Sequence, residues 1–395
     1  MNYSKLPICF VLMLLSSCVK EITSESIGVV GSTSIQSTSN LSFQVFSYNE
    51  FRPNFLHKST MEDSIKGISS NGFTPLQQNV NNAFPIDAMV NLGRILFYDK
   101  NLSLNGRVSC GSCHIQSKAF TDGKSFSVGF NNHLTERSTM SIQNMDFINN
   151  YQWQSAVQGL PDLVTKPLLH PTEMGNNSIE EVVNRVKALN YYEPFHSKAF
   201  GHAEIQAKSL IWALSSFVGS IYSVNSKFDK QLNNFTDEEN LGMTLFNGKA
   251  KCGECHTAPT FAAPDFAGGS YGSSQDATSL VAVNKKGLAN NGLNFARIEG
   301  ESRLIKIPTL RNIEYTAPYM HDGKFKTLEE VIENYDHNIQ YDASLDEKFV
   351  DRSTPNPHAI KLHLAVEEKK ALKAFLLTLS DAELLTAKRY SDPFQ

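Results

Sequence analysis

The chain has 395 residues, of which 41% are hydrophobic, so it is long enough for two domains with hydrophobic cores. Its net charge is -4, and this weak acidity gives no support for nucleic-acid binding. Beyond the first residues, no stretch is apolar enough to span a membrane.

The first 17 residues have the pattern of an export signal. Lys5 supplies a positive charge, and residues 8–15 form an apolar segment that is too short to cross a bilayer. Residues 15–18, Leu-Ser-Ser-Cys, resemble a bacterial lipoprotein box, which implies cleavage before Cys18 and a lipid on its thiol. The alternative is an ordinary secretory signal with an incidental cysteine. We therefore predict a lipoprotein on the periplasmic side of a bacterial membrane, held only by its lipid anchor.

Residues 18–75 are rich in Ser, Thr and Asn and show no sustained period, which predicts a flexible tether. A helix is expected from Pro85 to Phe97, because apolar residues recur there at helical spacing.

Two pentapeptides, at residues 110–114 and 252–256, carry the pattern Cys-x-x-Cys-His. In each, the two thiols can add to the two vinyl groups of one haem, and the adjacent histidine becomes the proximal iron ligand. A zinc site and a redox pair are the alternatives, but two copies that are both followed at once by His argue against them. We predict two covalently attached haem c groups, bound by Cys110, Cys113, His114, Cys252, Cys255 and His256.

Helical signals dominate the rest of the chain. Capping boxes begin at Ser178, Thr236 and Thr327, a long apolar helix is expected at residues 203–222, and the last clear helix lies at residues 365–379. Strand signals are sparse and short. The predicted fold is therefore mainly α, with long loops and little β.

The predicted architecture is two tandem cytochrome c-type haem domains. Residues 76–205 form the N-terminal, peroxide-reacting haem domain, and residues 206–395 form the C-terminal haem domain. The last helix is a candidate to pack back on the first domain.

Four segments resemble the bacterial di-haem cytochrome c peroxidase and MauG family. They are Leu92 to Asp99, Ala119 to Gly123, Pro171 to Gly175, and Ile307 to Gly323. The segments keep the order and spacing of the family, and the resemblance extends from about residue 85 to about residue 380. This resemblance implies a di-haem enzyme, and its functional positions can be compared one by one.

The resemblance implies that haem one, at His114, is the haem that reacts with hydrogen peroxide. Glu173 matches a distal acid, which moves a proton between the two peroxide oxygens, and Pro167 matches a distal proline. Trp153 matches a residue that carries electrons or holes between the haems. Without the resemblance, Glu173 would be interpreted as a solvated loop carboxylate and Trp153 as a core residue.

The loop after haem one departs from the family pattern. Some members have a histidine there that blocks the iron at rest, but this chain has Phe130 at that position. We therefore expect an open iron, with His133, which is offset by three residues, as the alternative blocking residue. Leu163 replaces a distal glutamine, so we expect a less polar distal pocket.

The second ligand of haem two separates two branches of the family. Electron-accepting peroxidases have a methionine, whereas this chain has Tyr335, as MauG-type proteins do. A thioether stabilises ferrous iron, and a phenolate stabilises ferric and higher states. Met320 is the first alternative ligand and His337 another, while a core role for Tyr335 remains open. His321 is expected to have a structural or coupling role near haem two.

A calcium ion between the domains is also typical of the family. Thr316 and Pro318 match its ligands, through backbone carbonyls, which suit a hard cation. The usual third ligand is an asparagine after an arginine, but Arg137 is followed here by Ser138. The sequence thus predicts a calcium site with an incomplete ligand set.

Three functions follow as hypotheses. The first is a peroxidase that reduces hydrogen peroxide at haem one, with electrons from a small donor such as a cytochrome c passing through haem two. The second is a MauG-like oxidase, in which Tyr335 lets haem two store oxidising equivalents for a protein or small organic substrate. The third is a non-enzymatic di-haem electron carrier. No nucleic-acid partner is expected, and the family makes a homodimer an option.

Overall fold

The computed structural model describes residues 43–48, 86–148, 151–153, 157, 159–230, 234–262, 288–290, 304–341 and 345–395. The predicted signal peptide, Cys18 and most of the predicted tether lie outside these residues. Within the described ranges, no helix is both long and apolar enough to cross a membrane.

The described residues are mainly helical, which confirms the predicted fold class. The α-helices are α1 Ile86–Tyr98, α2 Cys110–Cys113, α3 Leu160–Leu169, α4 Ile179–Lys187, α5 Tyr192–Phe200, α6 Ala207–Gly219, α7 Lys227–Lys230, α8 Asp237–Asn247, α9 Leu328–Glu333 and α10 Val366–Leu377. A π-helix, Asn334–Asn338, continues α9. The short strands β1 Leu288–Asn290 and β2 Leu304–Lys306 pair antiparallel, as do β3 Val350–Asp351 and β4 His358–Ala359.

The first core is built on the packing of α1 against α6. A Cβ added to Gly93 of α1 would lie only 1.9 Å from the carbonyl oxygen of Ala213 in α6, so glycine allows this close approach. One turn further on, the rings of Phe97 and Phe217 meet edge to face at 5.1 Å. The structure therefore moves the predicted boundary at residues 205 and 206, because α6 belongs to the first core.

The second core repeats the same arrangement with α8 and α10. A Cβ on Gly242 would lie 1.9 Å from the carbonyl oxygen of Ala371, and the rings of Phe246 and Phe375 are 5.1 Å apart. Each core thus pairs a Gly-x-x-x-Phe helix, which precedes a haem motif, with an Ala-x-x-x-Phe helix. This repetition agrees with two tandem haem domains.

The segment after the last α-helix, and not the helix itself, packs on the first core. The helix was the candidate predicted from the sequence. Helix α10 packs on α8, because Gly242 has no side chain and allows the two backbones to approach closely. The following residues reach back instead: Tyr98 donates to the carbonyl of Tyr390 over 2.6 Å, and the fully buried Tyr390 is part of the first core.

Part of the predicted tether is packed rather than flexible. The amide of Phe46 donates to the side chain of Asn91 over 2.9 Å, and Asn91 donates back to the Phe46 carbonyl over 2.8 Å. The amide of Tyr48 donates to Asp87 over 2.8 Å. Residues 43–48 are therefore fixed on α1 by backbone hydrogen bonds.

Candidate active site

The first Cys-x-x-Cys-His motif is presented by the short helix α2. Its two cysteines lie one turn apart, and His114 follows at the end of the helix. The Nδ1 of His114 donates to the carbonyl of Phe120 over 2.8 Å. This bond fixes the ring and leaves Nε2 available to bind iron. Burial lowers the pKa of His114, which favours the neutral ring that ligation requires.

Glu173 lies close enough to the thiols of this motif to interact with them electrostatically. As free thiols, Cys110 and Cys113 have pKa values raised by burial to about 12 and about 11, and the charge of Glu173 contributes to both shifts. That contribution requires Glu173 to be near the place where a haem would be attached. The structure thus brings together the motif and the predicted distal acid.

The loop that carries Glu173 rests on the segment that contains Phe130. The amide of Phe130 donates to the carbonyls of Thr172 and Glu173, over 3.0 and 2.8 Å. A Cβ on Gly129 would lie 2.1 Å from the Thr172 carbonyl oxygen, and one on Gly175 would lie 2.6 Å from the Phe130 ring. Both glycines are needed for this close packing, and Phe130 supports the backbone of the Glu173 loop.

Sequence reasoning missed a neighbour of Glu173. The Nδ1 of His170 lies 3.7 Å from a carboxylate oxygen of Glu173, three residues along the same turn. Burial raises the pKa of Glu173, and the charge of His170 opposes that rise. The i, i+3 spacing was the available sequence signal. The pair thus provides a carboxyl group with a raised pKa within electrostatic reach of the first haem motif.

Other positions predicted near haem one lie around this site. His133, the alternative blocking residue, has an exposed side chain. Leu163 and Pro167 are both on α3. Leu163 packs against the first core. The Pro167 carbonyl accepts a hydrogen bond of 3.3 Å from the His170 amide. Helix α3 therefore positions the turn that leads to Glu173.

The second motif occupies a tight 3-10 turn, Cys252–Glu254, followed by Cys255 and His256. The Nδ1 of His256 lies 3.1 Å from the carbonyl oxygen of Phe261 and 3.0 Å from that of Pro308. Burial lowers the pKa of His256 to about 4, which keeps the ring neutral. Its Nε2 is thereby directed to an iron, as in the first motif.

Tyr335 lies close enough to the thiols of the second motif for their charges to affect its pKa. Burial raises its pKa far above the usual value, and the charges of Cys252 and Cys255 add to the shift. Its ring packs 5.9 Å from Phe349. The residue belongs to the π-helix, an irregularity that is frequent at functional sites because it redirects side chains.

His337, one of the alternative ligands of haem two, is paired with carboxylates. His337 is 42% exposed, and its Nδ1 lies 2.8 Å from Asp336 and 3.4 Å from Glu333. Met320 has a left-handed backbone, with φ of 73°, and its carbonyl accepts a hydrogen bond from the amide of Gly323. His337 is thus held among carboxylates, whereas Tyr335 lies close enough to the Cys252 and Cys255 thiols for their charges to raise its pKa.

Trp153 lies at a junction between the two haem domains. Its indole Nε1 donates to the carbonyl of Ser138 over 2.8 Å, and its ring meets that of the buried His321 edge to face at 6.3 Å. The Ser138 amide donates to the His321 carbonyl over 2.7 Å, and the Lys306 amide donates to the Trp153 carbonyl over 2.8 Å. Segments of both domains therefore hold this side chain.

The predicted calcium ligands lie close to this junction in sequence. The Thr316 hydroxyl donates to the Ile313 carbonyl over 3.3 Å, and the Ala317–Pro318 peptide is cis. The amide and carbonyl of Ser138 are both used in the Trp153 junction. Calcium binding stays a prediction.

Comparison with known proteins agrees with this geometry. A family model described as di-haem cytochrome c peroxidase matches residues 87–237. The methylamine utilization protein MauG of Methylorubrum extorquens is 32% identical over 259 residues, which cover 62% of this chain and 68% of that protein. The chain belongs to the di-haem cytochrome c peroxidase and MauG family.

Further members of the family support the same assignment. Cytochrome c551 peroxidase of Nitrosomonas europaea is 32% identical over 250 residues, covering 62% of this chain and 72% of that protein. The crystal structure of a MauG-like protein associated with microbial copper homeostasis superimposes with a TM-score of 0.66 at 32% identity, covering 80% of this chain and 95% of the other. The recognition made from the sequence is confirmed.

Membership of a di-haem family implies two haem c groups, and the residues present fit them. Each motif offers two thiols and a neutral histidine whose Nδ1 is already hydrogen-bonded, so the remaining ring nitrogen would be free to bind iron. The thiols of the two motifs are not joined in disulfides. The donor set therefore matches covalent haem attachment.

Proposed function

We propose that this protein uses hydrogen peroxide at haem one to oxidise a protein or small organic substrate, as a MauG-like oxidase, with Tyr335 as the second ligand of haem two. The observation that carries this proposal is the placement of Tyr335 by the π-helix, close enough to Cys252 and Cys255 for their charges to act on its phenol. Haem c supplies the iron that binds peroxide and accepts its oxidising equivalents. Phenolate ligation would favour retention of those equivalents at haem two.

Glu173 is the acid–base group at haem one in this proposal. Cleavage of the peroxide O–O bond requires a proton to leave the oxygen that binds iron and to reach the oxygen that departs as water. Burial raises the pKa of Glu173, which brings the carboxyl closer to the operating pH and makes both transfers easier. Reduction of one peroxide to two waters consumes two protons and two electrons, and the electrons come from the substrate.

Trp153 is the relay between the haems. Its ring stands between segments of both domains, and its Nε1 hydrogen bond to the Ser138 carbonyl fixes the indole plane. A fixed ring with polar support suits electron transfer, because little reorganisation accompanies the change in charge.

Low-temperature EPR of the oxidised protein tests the ligand assignment. Tyr335→Phe and Tyr335→Met should each change the signal of haem two and leave that of haem one unchanged. Phe349→Leu, which alters the neighbouring ring but no ligand, is the matched control. A haem-two signal that is identical in the wild type and Tyr335→Phe would exclude the proposal. Binding of cyanide at haem one would in turn reject a pure electron carrier, since that hypothesis needs two six-coordinate irons.

A cytochrome c peroxidase is the second candidate function. The Lys348 ammonium donates to the carbonyl of Glu254 over 2.8 Å and lies 4.0 Å from the sulfur of Cys255, so an exposed cation stands at the edge of the haem-two motif. Such a charge suits the docking of an acidic donor protein. Steady-state peroxide consumption with a reduced acidic cytochrome c distinguishes the two candidates. Rapid turnover that falls in Lys348→Glu and rises at low salt favours the peroxidase.

We also propose that the protein is exported and lipid-anchored through Cys18, on the strength of its signal sequence. Two acyl signals or more are needed for stable membrane attachment, and a bacterial lipoprotein cysteine carries them. Cys18→Ser in the full-length chain should move the protein from the membrane fraction to the soluble fraction while haem content is retained. Equal membrane association of both forms would argue against the anchor.

A further inference from the structure

Lys306 is a buried cation that the proposed reaction does not use. It ends strand β2, its side chain is 4% exposed, and its amide donates to the carbonyl of Trp153. Burial lowers its pKa to about 8 and is the only cause of the shift, so among the described residues no carboxylate interacts with it. A buried ammonium without a counter-charge is costly, and an anion is therefore expected at this position.

The position of Lys306 indicates which anion this is. Two residues further along, the carbonyl of Pro308 accepts a hydrogen bond from the Nδ1 of His256, the expected proximal ligand of haem two. On its other side, Lys306 is tied to Trp153 by the backbone hydrogen bond. The side chain thus starts from a segment that contacts His256, the residue that would bind the iron of haem two. Each haem c carries two propionate carboxylates, which are the anions that haem attachment would bring to this segment.

We propose that Lys306 binds a propionate of haem two and supplies its counter-charge. The proposal requires haem at the second motif, which family membership implies, and it holds for a peroxidase as well as for a MauG-like oxidase. Its failure would leave Tyr335 ligation and the proposed reaction untouched.

A fixed positive charge beside haem two has a defined effect on its redox equilibrium. The ferric haem carries one more positive charge than the ferrous haem, so a nearby cation disfavours the ferric state and raises the reduction potential. Within a protein this electrostatic effect is weakly screened. Lys306 would therefore oppose a phenolate ligand, which lowers the potential of the same haem.

Spectroelectrochemical titration of the di-haem protein tests the proposal. Lys306→Met removes the charge at similar volume and should shift the haem-two ferric–ferrous equilibrium about tenfold toward ferric, or about 59 mV for a one-electron couple. Lys306→Arg retains the charge and should restore the wild-type potential. Lys249→Met is the matched control, because that lysine precedes the second haem motif but is exposed and already paired with Glu368.

Three results would overturn the inference. One is an unchanged haem-two potential in Lys306→Met, and another is a shift confined to haem one. The third is an equal shift in Lys306→Met and Lys306→Arg, which would mark a packing effect. If Lys306→Met does not retain both haems, resonance Raman spectra of the wild type and Lys306→Arg decide the question. Propionate bending bands that differ between these two support the contact, and identical bands reject it.

Discussion

The indole Nε1 of Trp153 donates a hydrogen bond of 2.8 Å to the carbonyl oxygen of Ser138. Ser138 also donates its amide to the carbonyl of His321, so one residue of the first domain is linked to the relay and to the second domain. The position that matches the family's asparagine calcium ligand thus contacts Trp153, the proposed relay, in this chain. Electron transfer between the haems should depend on this junction.

Trp153→Phe should slow the arrival of oxidising equivalents at haem two by at least about tenfold, since the oxidisable ring and its Nε1 donor are both lost. Stopped-flow absorbance of haem two after addition of peroxide measures this rate. Binding of peroxide at haem one should be unchanged. Trp212→Phe, at the other tryptophan of the chain, is the control and should behave as the wild type. Equal rates in all three proteins would remove Trp153 from the pathway.

Glu173→Gln should reduce the rate of peroxide reaction at haem one by about 10²- to 10⁴-fold, because the amide keeps the shape of the side chain but cannot transfer the proton. Single-turnover kinetics with haem one as the reporter measures the effect. Glu180→Gln changes an exposed glutamate of α4 and provides the control. Unchanged kinetics in Glu173→Gln would reject the acid–base role.

His170→Asn should move the pH dependence of the same reaction. Burial raises the pKa of Glu173 and the charge of His170 lowers it, so loss of His170 raises this pKa further. The reaction begins with proton acceptance by the Glu173 carboxylate, so its rate increases as pH rises through that pKa. The acidic limb of the pH–rate profile should therefore shift to higher pH in His170→Asn and remain in place in His133→Asn. A shift in the opposite direction would contradict the pairing of these two residues.

The two haem motifs were predictable because the side chains that bind each haem all lie within five adjacent residues. The position of Tyr335 was predictable only through the family resemblance, since a lone tyrosine fourteen residues after His321 has no local signal. The π-helix that carries it could not be predicted, because its extra residue is accommodated by packing against Phe349 and the loop that contains Leu364. Lys306 was missed for a similar reason. A lysine is normally exposed, and its burial is visible only in three dimensions.

Domain organisation was predicted less well than the motifs. Helix α6 is apolar on most of its surface, so its sequence did not show which core it would join, and the close approach of Gly93 to Ala213 decides this. Residues 43–48 have the composition of a tether. The Asn91 side chain nevertheless forms two hydrogen bonds with the Phe46 backbone, and composition does not reveal them. In both cases a single partner residue outweighs the local pattern.

Gly242→Ala should destabilise the second haem domain. Alanine is the better helix former by about 1 kcal/mol, but its Cβ would lie 1.9 Å from the backbone oxygen of Ala371, and overpacking of this kind costs about 1–3 kcal/mol or more. We expect a net loss in the free energy of unfolding and a perturbed spectrum of haem two, measured by urea titration with haem absorbance. Gly201→Ala has open space around its Cβ, so it should cost about 1–2 kcal/mol through its positive φ and leave the spectrum of haem two unchanged. Equal effects at both positions would contradict the close helix contact.

Asp229 and Arg311 form a buried, two-pronged ion pair in the second haem domain, with nitrogen–oxygen distances of 2.8 and 2.7 Å. Arg311 is 1% exposed and also donates through Nε to the Pro259 carbonyl over 2.7 Å, in the loop that leads to the His256 partner Phe261. Asp229→Ala leaves the guanidinium buried without its anion, so the free energy of unfolding should fall by about 3–5 kcal/mol. Glu367→Ala, at an exposed ion pair, should cost at most about 1 kcal/mol.

The same pair makes stability depend on pH. Burial raises the pKa of Asp229, but the hydrogen bonds and charge of Arg311 outweigh this and hold the pKa below its usual value. The stabilisation by ionised Asp229 is thus fully present above the unfolded-state pKa of an aspartate, about 3.9. It is lost as pH falls through the lower pKa of Asp229 in the folded state. Urea titrations at pH 7 and below pH 4 should show the gap between wild type and Asp229→Ala narrowing as the carboxyl is protonated. A gap that stays constant over this range would show that the effect of the substitution is not electrostatic.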